Sequence, residues 1–254
     1  AIIAAFSLFA LSCQFSPSMT QQPQNELDTA ERYRPVFHFT PQANWMNDPN
    51  GMFYENGTYH LYYQYFPEGN QWGPMHWGHA SSKDLSTWTE HPIAIYPDSA
   101  LGYIFSGSAI IDSHNVSGLG TSSNPPVIAM YTLHKNPEEI QSQGISYSLD
   151  SGMTFTAYEG NPIIPNPGLK DFRDPKLTWD GQQWISAMTV GQEIAFYGSS
   201  NLIDWEPLST FGEGYGNHGG VWECPELMTL ETSDGKSLDV LIVSIGSGVP
   251  NQAS

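Results

Sequence analysis

Three acidic residues lie in short motifs whose chemistry suits cleavage of a glycosidic bond: Asp48 in WMNDPNG, Asp174 in FRDP and Glu223 in WECP. Glycoside hydrolysis uses one ionised carboxylate and one protonated carboxylic acid that face each other across the bond. Polar neighbours suit Asp48 to the ionised role, whereas an apolar environment around Glu223 would disfavour its charged form. Taken singly, each acid has a structural alternative, which is an Asx turn for Asp48, an ion pair with Arg173 for Asp174, and a lining role for Glu223.

The residues around these acids offer stacking faces and hydrogen bonds to a sugar. The tryptophans that could stack are Trp45, Trp72, Trp77 and Trp222, and the polar residues that could bind hydroxyl groups are Asn47, Gln64, His79 and Ser106. The alternative is that these aromatic residues fill the interfaces between sheets.

The composition favours a globular, strand-rich protein. Of 254 residues, 39% are hydrophobic and only 13% are charged, while 24 glycines and 19 prolines favour short strands and turns. The formal net charge of −18 excludes a nucleic-acid protein that works through a basic surface. The histidines are scattered and Cys224 has no partner at ligand spacing, so we expect no metal site.

The first residues are typical of an export signal. Residues 1–11 are almost wholly apolar, too short to span a bilayer, and followed by Cys13, whose small neighbours suit a bacterial lipoprotein cleavage site. Plain secretion, or an incidental cysteine, is the alternative. We therefore predict a clipped export or lipoprotein signal at 1–13, a polar linker at 14–32 and a catalytic domain at 33–254. A lipid on Cys13 would anchor the protein to a membrane at the periplasm or cell surface. The chain has only two cysteines, which provide no disulfide framework.

From Tyr33 onward the pattern predicts a series of β-hairpins. Asn56-Gly57, Asp180-Gly181 and Asp234-Gly235 each separate two runs rich in aromatic and apolar residues. A weak repeat, which begins at Ser82, Ser148 and Ser200, joins a serine, a Leu/Asp pair and a closing aromatic residue. Its spacing suits four-stranded propeller blades.

If the repeat marks blades, the segments after each copy form the innermost strands of the propeller. Three of the four predicted inner strands carry an acid where the strand begins, so Asp48, Asp174 and Glu223 would converge near the propeller axis although they are far apart in sequence. The last acid opens a fourth blade close to residue 254, and we expect the propeller to be truncated there.

Six motifs, in order, resemble those of glycoside hydrolase family 32, which includes invertases, levanases and exo-inulinases. They are WMNDPNG (45–51), YQY (63–65), WGHA (77–80), FSGS (105–108), FRDP (172–175) and WECP (222–225). The resemblance implies a five-bladed β-propeller followed by a β-sandwich, which this chain does not reach. It also implies that Asp48 is the nucleophile, Glu223 the general acid/base and Asp174 the transition-state stabiliser. The fructose-binding residues implied in the same way are Asn47, Gln64, Trp72, Phe105, Ser106 and Arg173.

The implied activity is that of a retaining exo-β-fructosidase, which releases fructose from levan, inulin or sucrose without a metal or organic cofactor. One alternative is an arabinan- or xylan-cleaving hydrolase on the same propeller, although the form of the WMNDPNG motif speaks against it. Another is a catalytically inactive fructan-binding lipoprotein, against which the presence of all three acids argues.

Overall fold

The computed structural model describes residues 33–246, which form an all-β structure. Within that range there is no helix with the length and hydropathy needed to cross a membrane. All the strands described here lie in the unit formed by residues 37–254. The predicted signal (1–13), Cys13 and the linker (14–32) lie outside the described residues.

Three four-stranded antiparallel sheets follow one another along the chain, and each is a simple meander. The first contains β1 (Trp45–Glu55), β2 (Thr58–Phe66), β3 (His76–Ser82) and β4 (Trp88–Ile95). The second contains β5 (Tyr103–Ile111), β6 (Val127–Lys135), β7 (Ile140–Ser148) and β8 (Thr156–Ala157). The third contains β9 (Phe172–Trp179), β10 (Trp184–Val190), β11 (Glu193–Ser199) and β12 (Glu206–Phe211). A fourth, two-stranded sheet contains β13 (Trp222–Glu231) and β14 (Ser237–Ile245).

The first strands of successive sheets lie side by side, since β5 contacts both β1 and β9, and β9 contacts β13. This is the arrangement of propeller blades around an axis. The predicted innermost strands are therefore confirmed as β1, β5, β9 and β13. Within residues 33–246 the sheets do not close into a ring, and the count of five blades stays a prediction.

The core lies between neighbouring sheets, and β6 shows why. Its first eight residues are all buried. Alternate side chains of a strand point to opposite faces, so both faces of β6 must be covered by neighbouring sheets. Val127, Ala129, Tyr131 and Leu133 pack towards the first sheet, whereas Ile128 and Met130 pack towards the third. A central strand covered on both faces reads as a continuous apolar run.

The predicted hairpins are confirmed. Asn56 and Gly57, with φ of 48° and 77°, form the two-residue turn between β1 and β2. Left-handed conformation at both positions matches the twist of the paired strands, which is why Asn-Gly is favoured there.

The predicted repeat is also confirmed, with one correction to its register. All three copies connect the third and fourth strands of a sheet, and in each a serine hydroxyl accepts a hydrogen bond from a backbone N–H of the turn. The serine of the third copy is Ser199, whose Oγ accepts from Leu202 N at 2.8 Å. The sequence assignment to Ser200 was wrong by one residue, because two serines are adjacent there.

Candidate active site

Each of the four inner strands carries a β-bulge at or next to a predicted site residue. The bulges fall at 47–48 in β1, 105–106 in β5, 174–175 in β9 and 224–225 in β13, where one extra residue interrupts the pairing with the second strand. A bulge bends its strand and redirects side chains, and it tolerates a proline that cannot donate to the ladder. The bulges, three of which contain or precede a proline in an Asp-Pro or Cys-Pro pair, thus turn the polar groups of the four strands towards one place.

Asp48 accepts two hydrogen bonds at the same carboxylate oxygen. The Ser106 hydroxyl donates to Asp48 Oδ2 at 2.7 Å, and the Cys224 thiol lies 3.6 Å from that oxygen. Burial raises the pKa of the Cys224 thiol, with further increases from Asp174 and Asp48, so the thiol remains protonated and donates. Asp48 Oδ1 has no donor among residues 33–246.

Asp174 is buried and held in a left-handed conformation, with φ of 60°. Its Oδ2 accepts a hydrogen bond from Cys224 N at 2.9 Å, and its own N–H donates to Thr132 Oγ1 at 2.9 Å. Burial is the largest influence and raises the pKa of Asp174 to about 6, although the Cys224 N–H and Arg173 oppose the rise. The left-handed conformation of Asp174 is strained, and such backbone strain persists at functional sites where the surrounding structure enforces it.

The environment of Glu223 differs from the apolar one predicted from the sequence. Its side chain is 41% exposed, and its Oε1 accepts a hydrogen bond from Arg173 Nη2 at 3.1 Å. The expectation of an apolar enclosure was wrong, because the adjacent Trp222 points to the opposite face of β13 and packs against Ala187 and Ile194.

Arg173 lies between these acids. Besides Glu223, it forms an ion pair with Asp171 through Nη1 at 2.7 Å, and its Nε lies 3.9 Å from Asp174 Oδ2. Gln141 Oε1 accepts a longer hydrogen bond from the same Nη1, at 3.4 Å. One guanidinium therefore faces three carboxylates from two strands and one loop.

These groups line an open cavity of about 380 Å³. All nine predicted site residues line it, namely Asn47, Asp48, Gln64, Trp72, Phe105, Ser106, Arg173, Asp174 and Glu223. Sequence reasoning missed five others: His134, Glu139, Gln141, Lys170 and Asp171. Only Asp171 had a local signal, since it lies two residues before Arg173. The catalytic and binding roles of the nine residues stay predictions.

The cavity has one aromatic wall. Trp72 is 50% exposed and meets Phe105 edge-on, with ring centroids 6.0 Å apart, while Phe105 stacks on His134 at 4.3 Å. The other predicted stacking residues lie elsewhere. Trp77 and Trp222 are buried in the interfaces between sheets, and Trp45 does not line the cavity.

Two of the residues predicted to bind sugar hydroxyls, Gln64 and His79, differ in position: Gln64 lines the cavity and His79 does not. Gln64 is only 2% exposed, and its Nε2 has no hydrogen-bond partner among the described residues. A buried unpaired donor beside a cavity is suited to a ligand oxygen. His79 is fully buried between His60 and His91 in the first sheet, so its expected contact with a sugar was wrong.

In the described part of the chain, no group of three His, Cys, Asp or Glu side chains could hold a metal ion. Cys224 forms no disulfide within residues 33–246. The cavity presents carboxylates, one arginine, three side-chain amides and aromatic rings, a combination of hydrogen-bonding groups and stacking faces suited to a neutral, hydroxyl-rich molecule.

The chain is similar to several known enzymes. The chain is 52% identical to the levanase of Bacillus subtilis (strain 168) over 228 residues, covering 88% of this chain and 33% of the levanase. It is 44% identical to the extracellular exo-inulinase of Aspergillus niger, covering 84% of this chain and 44% of the relative. The structure of the Schwanniomyces occidentalis fructofuranosidase with fructose matches with a TM-score of 0.81 and 43% identity, covering 89% of this chain and 46% of that one. The chain thus spans less than half the length of these relatives.

Residues 38–253 match the glycosyl hydrolases family 32 N-terminal domain. With the family match over most of its length and relatives above 40% identity, this chain belongs to glycosyl hydrolase family 32.

Proposed function

We propose that the chain forms the catalytic part of a retaining exo-β-fructosidase that hydrolyses terminal β-D-fructofuranosyl units of levan, inulin or sucrose. The observation that carries the proposal is the convergence of Asp48, Asp174 and Glu223 in one cavity, which is also lined by Gln64, whose Nε2 has no hydrogen-bond partner among residues 33–246. Levanase, exo-inulinase and fructofuranosidase among the relatives support the same substrate class. A complete ring of five blades is part of this proposal.

In the first step, Glu223 gives its proton to the glycosidic oxygen while Asp48 attacks the anomeric carbon. The bond between that carbon and oxygen breaks, the leaving sugar departs with the proton, and fructose becomes esterified to Asp48. Ser106 and Cys224 both donate to Oδ2, which orients the carboxylate and leaves Oδ1 as the attacking oxygen.

In the second step, Glu223 takes a proton from water as the water oxygen attacks the same carbon. Fructose is released with its original anomeric configuration, and Asp48 and Glu223 return to their starting states. Asp174 is buried in the same cavity, where its carboxylate would bind sugar hydroxyls more strongly in the transition state. Trp72 would stack on the substrate from the exposed side of the cavity.

The extracellular location of the exo-inulinase relative supports export of this protein as well. Anchoring through a lipid on Cys13 remains the accompanying hypothesis.

The test is a time course of products from the complete protein on sucrose, inulin and levan. An exo-acting enzyme releases fructose from the earliest time points, whereas oligosaccharides at low conversion would show an endo-acting enzyme. Release of arabinose or xylose from their polymers, with no fructose, would favour the alternative hydrolase. Fructan binding without any product would favour the non-catalytic alternative.

A further inference from the structure

Asp171 is an acid of the site that the mechanism above does not use. Its Oδ1 lies 2.7 Å from Arg173 Nη1, while Arg173 Nη2 lies 3.1 Å from Glu223 Oε1. The two carboxylates therefore hold the two terminal nitrogens of one guanidinium. Because the guanidinium is planar and rigid, fixing Nη1 also fixes the direction of Nη2.

The backbone around Asp171 supports this geometry. Asp171 has φ of 54°, a left-handed conformation that aspartate tolerates better than most residues, and its carbonyl accepts a hydrogen bond from Gly191 N at 3.4 Å. Gln141 is buried beside it and offers Oε1 to the same Nη1, while its Nε2 lies 3.5 Å from His134 Nδ1. Gln141 of the second sheet and Asp171, which precedes β9 of the third sheet, thus both hold Arg173 in place.

We propose that Asp171 is a positioning residue for the reaction: it holds Arg173 in place beside Glu223 and offsets part of the arginine charge, so that Glu223 keeps its proton to a higher pH. The inference rests on the proposed role of Glu223 as the general acid. A cation beside a carboxyl favours the charged form, and a second carboxylate on the same cation weakens that effect.

Other ionisable groups also face Arg173 and Glu223. Those on the inner strands are Asp48, Asp174 and Cys224, and those on the rim of the cavity are His134, Glu139 and Lys170. None of them contacts Nη1 of Arg173. Replacing Asp171 leaves this set intact, so the effect of its charge can be measured separately.

The experiment compares the pH dependence of kcat/KM for Asp171→Asn, Asp171→Ala and the wild-type complete protein. Asn keeps an oxygen that accepts from Arg173 but removes the charge, and we expect the basic limb to move about 0.5 to 1 pH unit lower. Ala removes the acceptor too, so we expect the same displacement and a further loss of kcat/KM, on the order of tenfold or more. Asp204→Asn, which replaces an exposed acid in the loop between β11 and β12 and outside the cavity, is the matched control and should leave the limb in place.

A second readout does not depend on activity. With ¹³C-labelled glutamate, NMR follows the titration of the Glu223 carboxyl directly, and Glu223→Gln assigns its signal. A titration midpoint that falls in Asp171→Asn but not in Asp204→Asn supports the inference, even if the protein hydrolyses no fructoside. Coincident titrations and coincident pH profiles for wild type and Asp171→Asn would overturn it, even if the enzyme is an active fructosidase.

Discussion

Replacing His79 with glutamine should reduce the acid sensitivity of the fold. His79 is fully buried in the first sheet, with its Nε2 3.1 Å from His60 Nδ1 and its ring stacked on Tyr62 at 4.6 Å. Its Nδ1 has no hydrogen-bond partner within residues 33–246. Burial lowers the pKa of His79 from 6.5 to about 3, with smaller contributions from His91 and His60.

The sign and size of the effect follow from linkage. The unfolded chain binds a proton at His79 near pH 6.5 and the native protein does not until about pH 3, so stability is present above pH 6.5 and is lost as the pH falls. Between pH 7 and pH 5, this one group lowers the free energy of unfolding by about 2 kcal/mol.

Urea unfolding at pH 7 and pH 5 measures this difference. The wild type and His114→Gln, which replaces an exposed histidine, should each lose about 2 kcal/mol more over this interval than His79→Gln. Any stability that the glutamine costs at both pH values cancels in the comparison. An equal loss for His79→Gln and wild type would refute the reasoning.

Three further changes probe the site. Glu223→Gln should reduce kcat/KM for sucrose by roughly 100-fold to 10,000-fold, but far less for fructosyl fluoride, because fluoride leaves without a proton; equal losses on both substrates would contradict acid catalysis. Asp174→Asn should lower turnover by about 100-fold or more and still form the fructosyl intermediate, as rapid-quench mass spectrometry would detect; loss of the intermediate itself would give Asp174 a different role. Thr132→Val removes the hydroxyl that pairs with the Asp174 N–H and with Gln143 Oε1, so the free energy of unfolding in urea should fall by about 2 to 4 kcal/mol. Thr229→Val, at an exposed position, should lower it by less than about 1 kcal/mol. Similar losses for the two variants would contradict the buried contact.

The sequence predicted those parts of the fold that depend on local chemistry. Asn56-Gly57 specifies a hairpin by itself, and the serine turns after the third strands repeat at blade spacing. Once the inner strands were identified, the convergence of Asp48, Asp174 and Glu223 followed, because neighbouring inner strands share an axis.

The rest depended on packing between sheets, which no local pattern encodes. Trp77 and Trp72 are only five residues apart, yet one is fully buried and the other lines the cavity. Gln141 comes from the second sheet and meets Arg173 of the third, a contact that residue spacing does not reveal. The exposure of Glu223 depends on which face of β13 its side chain occupies, and the bulge at 224–225 decides the direction of its neighbours.

The most direct test of the central claim is kcat/KM of Asp48→Asn on sucrose and levan, measured in the complete protein with its melting curve. Asparagine keeps an oxygen for the Ser106 hydroxyl but cannot act as the nucleophile, so we expect a folded variant whose kcat/KM falls by roughly 10,000-fold or more, while Asp204→Asn retains wild-type values. Near-wild-type turnover in a folded Asp48→Asn protein would contradict the account.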